Sequence, residues 1–332
     1  MPINPERAYE LSHTHYGEND LTDAEWETSL NFAQPYRKEV PHIDDFKESH
    51  PNDVERQRDK QVLRAKADTA NMEKTERSIM LEALLAEHIE QSEWLGSNAY
   101  TFQTTDYDDL INHTDLVVEF EMSEGEQYLA IDVTTSGGES FQKKRDGIGR
   151  EVKQGSLTMI KYFKSQVDFD TPEKVLRHIP RVAVSLQPDV IQHLASIQKN
   201  ILERKPGANQ EMANDPVQFD ILKQIENQLT DDVIYCLRSF PDIESVPHDK
   251  KKEIQRLIEI VEHLPVADNG GIKDDDKEKI TDLLGPVAND SADDATTSRK
   301  ALSGYQTLKQ LTRVRKTIQD IIAEKGETKS NA

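Results

Sequence analysis

The stretch "HTDLVVEFEMSEGEQYLAIDVTTS", residues 113 to 136, alternates its side chains at the period of a β-strand on both sides of a Glu-Gly step and reads as a hairpin. With Glu124 and Gly125 as the two central turn residues, Asp115 is expected opposite Thr134 and Val117 opposite Asp132. That register makes one face apolar, from Leu116, Val118, Phe120, Leu129, Ile131 and Val133. The other face carries Asp115, Val117, Glu119 and Glu121 beside Thr134, Asp132, Ala130 and Tyr128. Asp115 and Asp132 become diagonal neighbours, with Cα atoms roughly 7 to 8 Å apart. Two carboxylates so placed can lean onto one cation, and Mg²⁺ suits them because it takes oxygen ligands and keeps several waters. The same pattern describes an ordinary hairpin with one wet face, although Val117 and Ala130 among the acids point to a partly covered one.

The flanking segments add acid and base. In "SIMLEALLAEHIEQSEWLG" the apolar residues recur at helical spacing, with Gly96 as a stop. Ile79, Leu85, Ala86 and Ile89 put Glu82 on the apolar stripe, where a carboxylate is costly unless something binds it. Glu87 lies nearer the edge of that stripe and is the second choice. Between Ser140 and Lys164 stand seven basic residues (Lys143, Lys144, Arg145, Arg150, Lys153, Lys161, Lys164) and two acids, a local charge of +5. A helix is expected within "SFQKKRDGIGREVKQGSLTMIKYFKSQ", with Arg150, Lys153, Lys161 and Lys164 near one stripe, and "IPRVAVSL" reads as a further strand. The order helix, strand, strand, helix, strand makes a small α/β unit.

Glu82 on its helix, then "HTDLVVEF", "YLAIDVTTS", a basic helix and "RVAVSL" resemble the PD-(D/E)xK nuclease superfamily over roughly Ser78 to Leu186. The resemblance implies a restriction-endonuclease-like core: a central mixed sheet flanked by helices, a helix-borne acid, an Asp opening the second strand, and an acid-x-Lys on the third strand binding Mg²⁺. By position Glu82 matches the helix acid, Asp115 the strand-opening Asp, and Asp132 the acid of acid-x-Lys; all three are implied metal ligands. Thr134 stands where the family has its lysine. Some members supply that group from the following helix, which makes Lys153 the first candidate and Lys144 the second; alternatively Thr134 orients a water, or the site is inactive.

Composition bounds the rest. With 35% apolar and 31% charged residues among 332, a compact centre with poorly packed extensions is expected. Residues 1–77 read as a polar, partly helical extension and 78–205 as the α/β core. Residues 206–285 read as a helical region, 286–299 as a flexible acidic linker, and 300–332 as a C-terminal helix and tail. The net charge of −21 excludes phosphate binding by the whole surface, so DNA contact falls to the local basic helix, through Lys143, Lys144, Arg145, Arg150, Lys161 and Lys164. The single cysteine, Cys236, reads as a buried core thiol and excludes an internal disulfide. His13 and His15 lie in a polar arm without partners, and His113 reads as a turn cap or, beside Asp115, a proton carrier. Nothing apolar enough for a membrane span or an export signal is present, and a cytoplasmic location is expected. The resemblance implies a Mg²⁺-dependent, or Mn²⁺-dependent, endo- or exodeoxyribonuclease. The alternative is a catalytically inactive nuclease-fold protein whose acidic helical regions dock a protein partner.

Overall fold

The computed structural model describes residues 21–47, 50, 52–69, 74–123, 125–135, 138–168, 173–240, 248–262 and 299–330. A first helical stretch runs through α1 (Asp23–Thr28), a π-helical turn (Ser29–Ala33) and α2 (Gln34–Lys38). Helices α3 (Asp53–Thr69) and α4 (Glu76–Gln91) lead to β1 (Ala99–Gln103), the short α5 (Asp106–Asn112), and the hairpin of β2 (Leu116–Met122) and β3 (Gly125–Thr134). Next come α6 (Glu139–Lys153), a second hairpin of β4 (Thr158–Lys164) and β5 (Glu173–Ile179), and β6 (Arg181–Ser185). The remaining described elements are helices α7 (Pro188–Leu202), α8 (Ala208–Ala213), α9 (Val217–Arg238), α10 (His248–Glu262) and α11 (Arg299–Ser330).

The fold is mixed α/β. One four-stranded sheet has the order β1-β2-β3-β6, antiparallel except that β6 runs parallel to β3, and β4 with β5 forms a separate two-stranded sheet. The hairpin register differs from the expected one by two residues: Met122 pairs with Gly125 and Leu116 with Ile131. Gly125, at φ +102°, therefore heads β3 instead of occupying the turn's centre. Because strand side chains repeat every two residues, the shift leaves both faces as expected. Leu116, Val118, Phe120, Leu129, Ile131 and Val133 lie in the main core.

The second face is dry too. Val117 and Ala130 pack with Ile160, Phe163, Leu176 and Ile179 of β4 and β5, and Glu119 is fully buried among the hydroxyls of Tyr128 and Ser165. Strand β4 is itself a correction, because Lys161 and Lys164 were expected on the basic helix. That helix ends at Lys153; Gly155 turns the chain at φ +68°, and "TMIKYFK" continues as a strand with Thr158, Ile160 and Tyr162 buried. Strand β1 lies in a stretch that reads only as polar. Helix α4 stops at Gln91, before Gly96.

The described part of the N-terminal extension is docked, not loose. The Thr28 hydroxyl donates to the Ala195 carbonyl at 2.9 Å, and the buried Glu25 carboxylate accepts from Arg77 at 2.7 Å. Helices α7, α9, α10 and α11 share one continuous apolar core with the sheet, reaching from Leu84 through Val182 to Ile318. Cys236 is buried there. His13, His15 and most of the expected acidic linker, 286–298, lie outside the described residues.

Both outer strands of the sheet have side chains bonded to their backbone. Along β6, Gln228 of α9 accepts from the Ala183 N–H at 2.8 Å and donates to its carbonyl at 2.7 Å. Gln224, one turn away, does the same for Ser185 at 3.1 Å each. On β1 the Glu90 carboxylate accepts from the Thr101 N–H at 3.3 Å. Two glutamines at helical i, i+4 spacing thus stand in for a neighbouring strand. The substitution Gln228→Leu leaves the Ala183 N–H and carbonyl without partners and is expected to lower unfolding free energy by about 2 to 4 kcal/mol in urea titration. A loss below about 0.5 kcal/mol, the size of an ordinary surface change, would remove this role.

Candidate functional site

At the end of the four-stranded sheet where β2 begins, three carboxylates from three elements meet one ammonium. Lys74, just before α4, places its Nζ 2.9 Å from Glu82 of α4, 2.9 Å from Asp109 of α5 and 2.6 Å from Asp115. Asp115 precedes the first β2 pair. Its own N–H donates to the Ile131 carbonyl at 3.0 Å, and its Oδ2 accepts the Val133 N–H at 2.7 Å, taking the place of the next ladder carbonyl. Thr104 holds its backbone from the other side, donating N–H to the Asp115 carbonyl at 3.2 Å. Asp109 faces this centre, while the adjacent Asp108 is committed elsewhere. The buried Asp108 carboxylate accepts from the Lys161 and Tyr162 N–H groups of β4 at 2.8 and 3.0 Å.

Asp132, on β3, completes the group. Its Oδ1 accepts from Lys144 of α6, whose ammonium also donates to the Val133 carbonyl at 2.8 Å. Its Oδ2 lies 3.6 Å from Arg181, which donates to the His113 carbonyl at 3.1 Å and to Glu151 at 2.7 Å. Thr134, buried at the end of β3 and paired with Ser185 of β6, shares Asp132's face. The Asp115 and Asp132 side chains are only 6% and 7% exposed, so their charge is poorly hydrated.

Proton affinities record this crowding. Burial first, then the Asp115 charge, raises the Glu82 carboxyl to about 8 and that of Asp109 to about 7. Asp132 is raised to about 6 by burial and by Asp115, against the opposing pull of Lys144. For Lys74 burial acts to lower its proton affinity, but Asp115, Asp109 and Glu82 together more than reverse that and hold it charged.

The sequence expectations divide at this site. Glu82, Asp115 and Asp132 are brought into one region, and Lys144 is the helix lysine that reaches it. Lys153 does not: its ammonium lies over the Tyr235 ring, 4.7 Å from the centroid. Glu87 does not contribute to this centre either, and borders an adjoining hollow with Glu90 and Phe102. His113 caps α5 in the left-handed conformation, at φ 54°, as a turn residue. The basic set is dispersed. Arg145 pairs with the fully buried Asp232 at 3.3 Å, and Lys161 with Glu55 and Asp59 at 2.7 and 2.5 Å. Lys143 pairs with Glu139 on the surface, and Arg150 and Lys164 are exposed. Lys74, Asp109 and Arg181 were missed. Only Arg181 leaves a sequence signal, a cation heading an otherwise apolar strand.

The donors here are oxygens of carboxylates and a backbone carbonyl, the chemistry that suits Mg²⁺ or Mn²⁺. Among the described residues no three His, Cys, Asp or Glu side chains stand close enough together to hold a metal ion as they are. They are spaced for ammonium: Lys74 keeps its oxygens at 2.6 to 2.9 Å, whereas Mg²⁺ binds at about 2.0 to 2.1 Å. The donor set therefore fits a hard divalent cation in kind, with contraction required. Among the described residues no helix is long and apolar enough to cross a membrane. No protein-family model, curated protein or solved structure matches the chain.

Glu82, Asp109 and Asp132 keep their protons to higher pH folded than unfolded, so folding takes up protons and their contribution to stability declines as pH rises. The window runs from the ordinary carboxylate range to about 8, set by Glu82. Without divalent cations the unfolding temperature is expected to fall between about pH 5 and 8, less so in Glu82→Gln than in wild type. Equal slopes in thermal scans of the two proteins would contradict this.

Proposed function

We propose that the chain is a Mg²⁺-dependent nuclease-like protein with a restriction-endonuclease-like core, hydrolysing DNA phosphodiester bonds. The observation that carries this reading is Lys144, whose ammonium reaches from α6 to the Asp132 carboxylate and the Val133 carbonyl. It restores beside β3 the positive charge that Thr134 does not supply. Strand β1 supports the reading as well. Counting it, Asp115 opens the second strand of the sheet and Asp132 lies on the third, with Glu82 on the preceding helix, the order that the resemblance implies.

A bound Mg²⁺ supplies Lewis acidity toward a phosphoryl oxygen and a more acidic water. Asp115 and Asp132 would hold it through carboxylate oxygens, with Glu82 assisting directly or through water. Lys144 offsets charge developing on the phosphate and orients the attacking water. Arg181, fixed by Glu151 and the His113 carbonyl, keeps the Asp132 carboxylate in place. Lys143 and Arg150, exposed on α6, are the cations proposed for contact with the phosphate backbone. A second reading, a noncatalytic binding protein on the same fold, is favoured by the fact that Lys74 already partners Glu82, Asp109 and Asp115 within the chain.

With Mg²⁺ or Mn²⁺, the purified protein is expected to cleave DNA, and Asp132→Ala and Lys144→Ala each to slow cleavage roughly 10²-fold or more, while Lys153→Ala keeps the wild-type rate. Unchanged cleavage in Asp132→Ala would refute the assignment. No calorimetric heat with either cation, together with no cleavage, would establish the noncatalytic reading.

A further inference from the structure

We propose that helix α3 covers a surface on β4 and α5 that takes single-stranded DNA, and that a bound strand displaces the helix. This deepens the nuclease reading, on which it rests for the ligand, by naming a single strand as the substrate class and α3 as the device that restricts access.

Beneath α3 a cation stands among aromatic rings. Lys161 Nζ lies 5.7 Å from the centroid of the Tyr107 ring and 5.8 Å from that of Tyr162. Tyr107 meets Tyr162 edge-on with centroids 5.6 Å apart, and Phe46 lies 5.6 Å from Tyr162 on another side. Rings interleaved with cations suit a single strand, whose unpaired bases stack and whose phosphates need countercharge. This platform adjoins the acid centre through α5. Tyr107, Asp108 and Asp109 are consecutive there, with Asp108 bonded to the Lys161 and Tyr162 N–H groups and Asp109 among the acids.

The cover has the chemistry of such a strand. Glu55 and Asp59, one turn apart on α3, hold carboxylates 2.7 and 2.5 Å from Lys161 Nζ, where phosphate oxygens would otherwise stand. The His50 ring lies 4.8 Å from the Tyr162 ring, in the place of a base. Apolar packing adds little to this attachment. Val54 and Val62 face solvent at 77% and 40% exposure, and only the half-buried Leu63 packs against the apolar cluster of Ile43, Phe46 and Tyr162. Docking also leaves Nε of Arg56, a side chain only 6% exposed, without a hydrogen-bond partner, a penalty that release into water removes. A strand offering phosphates in place of the carboxylates and a base in place of His50 therefore meets the same partners, with little apolar area to displace.

The test is fluorescence anisotropy of a labelled oligothymidylate, with EDTA present so that nothing is cleaved. Glu55→Gln/Asp59→Asn weakens the cover by charge and Leu63→Ala weakens it by packing, and each is expected to bind roughly fivefold or more tightly than wild type. Tyr107→Leu added to the double variant is expected to weaken that binding roughly fivefold or more. In wild type the oligonucleotide is expected to speed amide hydrogen exchange across α3 and leave α4 unchanged. Unchanged or slowed exchange in α3, unchanged affinity in both cover variants, or an equal gain for a duplex of the same length overturns the proposal. Where one cover variant fails to fold the other decides, and the exchange measurement needs neither. Asp132-dependent cleavage by wild type, with no gain in either cover variant, removes the cover and leaves the nuclease reading standing; tighter single-strand binding without any cleavage removes the hydrolytic reading alone.

Discussion

The covering of the four-stranded sheet on both faces sets the conditions for everything at its end. With the apolar core on one side and the β4-β5 hairpin on the other, the acids beside β2 and on β3 are cut off from water. Desolvated carboxylates must find cations or give up their charge. Lys74, Lys144 and Arg181, from three different parts of the chain, converge on them. Charge pairing therefore ties α4, α5 and α6 to the sheet in addition to apolar packing, and gathers four carboxylates and three cations at its end.

Much of the scaffold was legible in the sequence because it is local. The helical periods of α4, α7, α9 and α11 and the alternation of the hairpin each announce themselves within a short window. Even the misplaced turn did no damage, since an error of two residues is a whole strand period. Strand β4 is hidden for a definite reason: its Lys161 and Lys164 stand at offsets that also suit a helix continuing from Arg150 and Lys153. The Lys74 to Asp115 contact spans 41 residues, and no local pattern in "NMEKTER" foreshadows it.

The exchange of Lys153 for Lys144 has a geometric reason that sequence reasoning could have used. Helix α6 begins close after β3, so its first turns stand beside the end of that strand. Nine residues further on, Lys153 lies roughly 13 Å along the axis and meets α9 at Tyr235 instead. Stripe membership was the wrong criterion; distance from the strand decides which lysine arrives.

The two edges of the sheet become safe at different moments in the life of the chain. Glu90, which accepts from the Thr101 N–H, precedes it by 11 residues, so the partner of that one group is already made when β1 leaves the ribosome. Gln224, which covers Ser185, follows by 39 residues. Until that much more has been synthesised, β6 offers bare amides and carbonyls to any extended segment nearby. The β6 edge therefore waits on α9, and a chain cut off before that helix would carry it bare.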